Sequence, residues 1–418
     1  MTAIIVLEPA SSGAALVAAA ALVAAAARLG LAAHVFSADR DERIVPPELR
    51  AAATSFTAVD TSSPAAVAAA ARALGAEAIV PGFEYVVGVA AQAAERLGLP
   101  HLPPDAAALT RDKHRSRQRL AEAGLAVPRF ARIASPAELE AAAERVGFPA
   151  VLKPVDGCGS QLVTRVDSLP ALREAVERAT REGVVDMGRE LGQALLLEQY
   201  LDGPEYSLEG YVGRHGPRVL AVTEKLLGPE PYFVEMGHVV DAPLAPETRA
   251  TLVAYVEAAA ARIGLTLGVF HAEARITRDG PVLIEIAARL GGDRIYRLVE
   301  LSKSISLPEV MIRGHLGEAD PAPAYEGRLA TQVSGVRFLA PDAAGRFAGV
   351  HGIEPVRALP GFEEIEIYPR LGELVPRLTD FRGRVGHVLF TAPDRATLDR
   401  RVAEALRALE FGPALTDL

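Results

Sequence analysis

A chain of 418 residues, half of them apolar and 23% charged, is long enough for roughly two to four structural units and excludes a disordered protein. Its net charge of −9 argues against a general nucleic-acid binder. The single cysteine, Cys158, excludes intramolecular disulfides and thiolate metal clusters and fits a reducing, cytoplasmic compartment.

Ala3 to Leu7 reads as a short apolar strand, Glu8 to Gly13 as a turn of small residues, Ala14 to Leu29 as a helix and Ala33 to Phe36 as a second strand. The wholly apolar stretch Ala14 to Ala27 is too short to span a bilayer and has no Lys or Arg before it, so it reads as a buried Ala-rich helix and not as a signal or membrane segment. A helix from Pro64 to Leu74 and a strand from Glu77 to Val80 repeat the pattern. Alternating strands and helices predict a parallel sheet with binding loops at the carboxyl ends of its strands. This unit ends near Pro103-Pro104. Glu84 sits on one such loop, either as a solvated acid or as a contact for a substrate ammonium.

The basic helix Thr110 to Leu120 reads as a solvated face and does not by itself single out Lys113. Phe148 to Thr164 reads as two apolar strands joined by a Gly-rich loop. Lys153, at the end of the first, needs a partner for its charge. Gly157, Gly159 and Ser160 leave backbone N–H groups free to close over phosphates. Ala194 to Val212 reads as strand, turn, strand. Glu198 lies near the end of the first run, and Glu205 and Ser207 alternate with apolar residues as on a half-buried strand lining a cleft. Val219 to Thr223 continues this sheet, Pro231 to Val240 is loop-like, and Pro246 to Ile263 is a helix.

Val269 to Ile276 and Pro281 to Ile286 flank Arg278-Asp279-Gly280, and Asp-Gly between such runs predicts a β-hairpin. His271, Glu273 and Arg275 then share one face, as do Glu285, Ala287 and Arg289. A register set by the short turn brings Glu273 and Glu285 together. Paired carboxylates repel unless a cation lies between them, and oxygen donors alone suit Mg²⁺ carrying phosphates. Arg289 and Gly291-Gly292 follow, placing a fixed positive charge where a phosphoryl group needs it. The alternative is an exposed hairpin whose charges face water. Beyond it, the tail reads as strands and Gly turns ending in a helix from Ala396 to Leu409.

The succession of a helix lysine, Lys153-Pro154 with its Gly-rich loop, Glu198-Gln-Tyr-Leu201, Gly203-Pro-Glu205, paired acids and Arg289-Leu-Gly-Gly292 resembles the ATP-grasp superfamily over 105–315. The resemblance implies an α/β and α+β architecture in three parts: a Rossmann-like N-terminal βαβ unit over 1–104, a two-lobed ATP-grasp core over 105–315 with a lid lobe at about 115–195, and a small C-terminal α+β lobe over 316–418. It implies that Lys113 and Lys153 bind ATP phosphates under a lid formed by Gly157 to Ser160, with Lys225 as a further phosphate-side lysine. Backbone groups of Gln199 and Leu201 would read adenine beside Glu198, and Glu205 would bond the ribose. Glu273 and Glu285 match ligands of Mg²⁺, or of Mn²⁺ in its place, and Arg289 the arginine that stabilises an acyl phosphate. Many relatives carry an asparagine where this chain has Ala287, which leaves one or two metal ions open.

Within the superfamily, Glu224-Lys225, Phe233-Val-Glu-Met-Gly-His238, Phe270-His-Ala-Glu273, Val336-Arg-Phe-Leu339, Val356-Arg-Ala-Leu-Pro-Gly361 and Asp380 to Val388 resemble the L-amino-acid ligases. That implies an ATP-dependent carboxylate–amine ligase acting on small molecules, amino acids among them, through an acyl phosphate, without nucleic-acid or membrane partners. Relatives with this layout are commonly homodimers. His238 and His271 become candidates for substrate contact or for taking the amine's proton, or else are structural; Gly291 and Asp293 would line the acceptor side, or Asp293 is a surface charge. Two alternatives stay open: a carrier-protein thiol or a hydroxyl as acceptor, and a nucleotide-binding protein without turnover.

Overall fold

The computed structural model describes every residue except 9–12, 39–46, 183–184, 187–188, 191–193, 242 and 413–418. The expected turn from Glu8 to Gly13 therefore falls largely outside the described residues. The helix after it spans Gly13–Arg28. No described helix is long and apolar enough to cross a membrane.

The N-terminal unit is a four-stranded parallel sheet in the order Ser55–Ala58, Ala32–Ser37, Ala3–Leu7, Ala76–Pro81. Its strand order reverses between Ala3–Leu7 and Ala76–Pro81, the place where open α/β sheets present a crevice at their carboxyl ends. Helix Pro64–Ala73 starts on a Ser63 cap, whose hydroxyl accepts from Ala66 N at 3.2 Å, with proline at its first position.

The basic run forms one helix, but it starts at Lys113 and not at Thr110. Pro104–Leu109 ends, and a second helix, Lys113–Glu122, begins on Asp112, whose carboxylate accepts from Arg115 N at 2.9 Å. Its basic residues are not all solvated: Lys113 is buried and Arg117 is 0% exposed. A small antiparallel sheet follows, in the order Phe130–Ile133, Leu195–Gln199, Ala150–Pro154, Thr164–Val166, with the Gly-rich loop between its last two strands.

The third sheet has eight strands: Gly280–Ala287, Val269–Thr277, Glu205–Gly213, Gly216–Leu227, Glu235–Val240, Val333–Leu339, Gly386–Ala392 and Phe362–Ile367. Glu235–Val240 corrects the loop expected over 231–240. Its alternation is blurred by Gly237, but it is hydrogen-bonded on both sides, to Gly216–Leu227 and to Val333–Leu339. At Gly237 a Cβ would lie 2.6 Å from Val336 O. Through this strand the sheet runs unbroken from the central region into the C-terminal one, which closes with helix Arg395–Ala408 on its Asp394 cap.

Candidate active site

The site is one face of the eight-stranded sheet. Strand Glu205–Gly213 is buried almost throughout, so alternation sorts its side chains. Tyr206 and Leu208 join an apolar core with Leu252, Val256 and Phe270, while Glu205, Ser207 and Glu209 share the other face. Strand pairing sets rows across that face: Glu209–His271–Ala287, Ser207–Glu273–Glu285 and Glu205–Arg275. Above them lies a cavity of about 630 Å³.

Glu273 and Glu285 stand directly opposite each other, but not for the reason the short turn suggests. From Thr277↔Gly280 to Ala274↔Leu283 the hairpin keeps the register its turn dictates, and continuing it would set Ile284 against Glu273 and send Glu285 to the far side. A bulge between Glu273 and Ala274 on the pairing ladder, with Ile284 as the extra residue, shifts the register by one and turns Glu285 inward.

These carboxylates sit among buried cations. Lys225 Nζ lies 2.5 Å from Glu273, 2.7 Å from Glu235 and 3.1 Å from Glu205. Burial opposes its charge, yet the three acids push the Lys225 ammonium well above its ordinary value. Burial likewise opposes ionisation of Glu273, but Lys225 and His271 hold it well below the usual carboxylate range. Lys113 Nζ lies 3.0 Å from Glu285 and donates to Gly157 O at 2.7 Å, tying Glu285 to the Gly-rich loop. Lys153 Nζ is 2.5 Å from Glu198, whose other oxygen accepts from Arg117 Nε at 2.8 Å. Lys153 is lowered by burial against the pull of Glu198. The paired oxygen donors of Glu273 and Glu285, opposed across the hairpin and facing a cavity, fit a hard divalent cation.

His271 lies between Glu209, at 2.9 Å from Nδ1, and Glu273, at 3.1 Å from Nε2. Against the effect of burial, these carboxylates raise it to about 10. Both of its ring nitrogens are engaged by carboxylates, so the ring braces Glu273. Glu205, expected beside a ribose, bonds Arg275 Nε at 2.9 Å as well as Lys225. Arg275 also donates to Leu201 O at 2.7 Å, so that carbonyl already has a partner. Gln199 N donates to Arg129 O at 2.8 Å.

Glu84 is 1% exposed, so the solvated-acid reading fails. Its carboxylate binds Arg289, with Nε at 2.8 Å, and also Arg111, and despite burial these guanidiniums hold it at about 2. Both oxygens are thus engaged by arginines, which leaves little room for the substrate ammonium expected there. Arg289 is thereby held by the N-terminal unit, and it lines the cavity with Gly291 and Asp293.

Asp293 is not a surface charge. It has positive φ, takes a two-pronged bond from Arg384 at 2.7 and 2.8 Å, and accepts from His238 Nε2 at 3.1 Å when that nitrogen carries a proton. Arg384 comes from the C-terminal region and lies 3.8 Å over the Phe338 ring. The Gly-rich loop rests on the same region: Gly159 has φ +63, and a Cβ there would lie 2.6 Å from the Phe381 ring, so only glycine fits. Ser160 Oγ reaches Phe233 O at 3.5 Å. Reading the sequence missed Arg111, Arg117, Glu209, Glu235 and Arg384. Glu235 and Arg384 lay within motifs already noted, whereas Arg117 was hidden in a run of like charges.

Comparison with known proteins accords with this geometry. Residues 146–297 match the ATP-grasp domain and residues 337–412 the L-amino acid ligase C-terminal domain 2. The chain is 31% identical to the uncharacterized protein y4rH of Sinorhizobium fredii over 75% of this chain and 63% of that one, and 32% identical to carnosine synthase 1 of Homo sapiens over 56% and 30%. It thus spans less than two thirds of the length of these relatives. The fold matches the crystal structure of L-amino acid ligase from Bacillus licheniformis with a TM-score of 0.83 at 24% identity, covering 98% of both chains.

Proposed function

Since this chain belongs to the ATP-grasp superfamily and carries an L-amino acid ligase C-terminal domain, we propose that it joins the carboxylate of one amino acid to the amine of another at the expense of ATP. The observation that carries this reading is the pair Glu273 and Glu285, opposed on one face of a cavity that Lys113, Lys153 and Arg289 also line.

Glu273 and Glu285 would hold Mg²⁺ or Mn²⁺, which when bound neutralises charge on phosphate oxygens. Lys113 and Lys153 would attract the phosphates, and the Gly157 to Ser160 loop would cover them. The carboxylate oxygen attacks the γ-phosphorus, the bond to ADP breaks, and an acyl phosphate results. Arg289, fixed by Glu84, faces the oxygens on which negative charge grows. The amine nitrogen then attacks the acyl carbon, the bond to phosphate breaks, and the amine gives up a proton as the amide forms. His271, with both ring nitrogens on carboxylates, is not placed to take that proton; the departing phosphate is itself a base. Asp293, His238 and Glu235, at the C-terminal side of the cavity, would meet the polar groups of the amino-acid substrates. A closed lid excludes the water that would hydrolyse the acyl phosphate.

The test is a screen of amino-acid pairs for ADP and phosphate release with mass analysis of the product. Amide formation that disappears in Glu285→Ala and Arg289→Ala supports the reading. ATP binding without turnover on any pair would refute it, and product on a thiol or hydroxyl would reassign the acceptor.

A further inference from the structure

Arg117 is a positively charged side chain with no exposed surface and no place on the cavity wall. Its Nε donates to Glu198 at 2.8 Å, and its Nη2 donates to the carbonyl of Ile284 at 2.6 Å. Ile284 is the extra residue of the bulge, the one that no residue of Val269–Thr277 faces. A bulge leaves backbone polar groups without ladder partners, and a buried carbonyl without a donor is costly. Arg117, on helix Lys113–Glu122, supplies that donor.

We propose that Arg117 is a positioning residue that holds the Ile284 bulge and so sets the spacing of the two metal-binding carboxylates. The same guanidinium grips Glu198, which in turn holds Lys153. One planar group thus joins the phosphate-side lysine to the strand that carries Glu285. Its fork geometry serves both partners at once, which a lysine ammonium on a longer, freer stem does not reproduce. This inference rests on the reading of Glu273 and Glu285 as metal ligands.

The experiment uses the full chain and measures the Mg²⁺ concentration for half-maximal ATP turnover, the KM for ATP at saturating Mg²⁺, and thermal unfolding. Arg117→Lys keeps a cation for Glu198 and should fold. It should raise the half-saturating Mg²⁺ by about tenfold, as expected when a bond from a charged donor is lost, with a smaller change in KM for the amino acids. Deleting Ile284 supplies the second arm. Without the extra residue the turn's own register sets Glu285 against Glu273, so the pair persists with no bulge to hold. In that background Arg117→Lys should no longer shift the Mg²⁺ dependence.

Unchanged Mg²⁺ dependence in Arg117→Lys, an equal shift with and without Ile284, or a lysine variant that fails to fold would each overturn the proposal, the last by assigning Arg117 to stability alone. If Glu273→Ala and Glu285→Ala leave the Mg²⁺ dependence of the parent intact, the underlying metal reading fails first. Those two variants therefore separate the failure of the reading from the failure of Arg117's role.

Discussion

Replacing Lys225 with methionine keeps the bulk of the side chain and removes an ammonium shared by Glu205, Glu235 and Glu273 at 3.1, 2.7 and 2.5 Å. Unit charges about 3 Å apart attract by about 5 kcal/mol at an effective dielectric near 20, and desolvation offsets part of each attraction. Removing one partner of a buried pair costs about 3–5 kcal/mol. Arg275 remains on Glu205 and His271 on Glu273, so the loss should lie at the low end, about 3 kcal/mol. The pH dependence is more diagnostic. In the parent, Glu273 is held below its ordinary 4.5, so its contribution is full above that value and is lost as pH falls through the depressed one. Without Lys225, Glu235, which burial already raises in the parent, rises further, and Glu273 keeps only His271 of the two cations that hold it down. The added cost grows as pH climbs past 4.5. Urea denaturation of parent and Lys225→Met at about pH 5 and about pH 8 should show the deficit growing with pH, and Mg²⁺ should recover more stability in the variant. A deficit independent of pH, or below about 0.5 kcal/mol, would refute the reasoning.

His315 is buried with neither ring nitrogen bonded, and burial pushes it down to about 4 from an ordinary 6.5. The unfolded ring takes up a proton first, so stability should fall as pH drops from 6.5 towards 4, and His315→Leu should flatten that part of a urea-midpoint against pH profile. Glu84→Gln should lower kcat by about tenfold or more with little change in amino-acid KM, because it loosens Arg289 and removes no ammonium contact; a selective rise in KM for one amino acid would restore the ammonium role. Gly159→Ala demands positive φ of a residue with a Cβ and drives it into Phe381. It should raise the KM for ATP several-fold while thermal unfolding moves little, since the loop lies outside the apolar cores.

The elements that were legible in the sequence are those whose signal is local. Asp279-Gly280 announced the hairpin, and Glu205 and Ser207 announced a strand with one polar face, because turn chemistry and a period of two act over a few residues. The bulge was not legible: nothing in Val282 to Ile286 marks Ile284 as the extra residue, and its support comes from Arg117, 167 residues away in sequence. Arg117 itself sat among Arg115 and Arg119, which do face solvent and pair with Asp105; only the tertiary packing separates them. His271 was correctly placed on the Glu273 face, but its protonation depends on Glu209, one strand away. Glu84 was placed on the right loop and given the wrong surroundings, since its partners are Arg111, from the Arg-rich segment that follows the N-terminal unit, and Arg289. Where function depends on which charge meets which, contacts distant in sequence decide.

In the proposed reaction a substrate carboxylate is phosphorylated before an amine displaces the phosphate. An amino acid labelled with ¹⁸O in its carboxylate, supplied with ATP, Mg²⁺ and an acceptor amino acid that the screen identifies, tests this most directly. The account predicts that each inorganic phosphate released carries one ¹⁸O from the substrate, in step with amide formed. Phosphate released without the label, at the same rate as product, would contradict it.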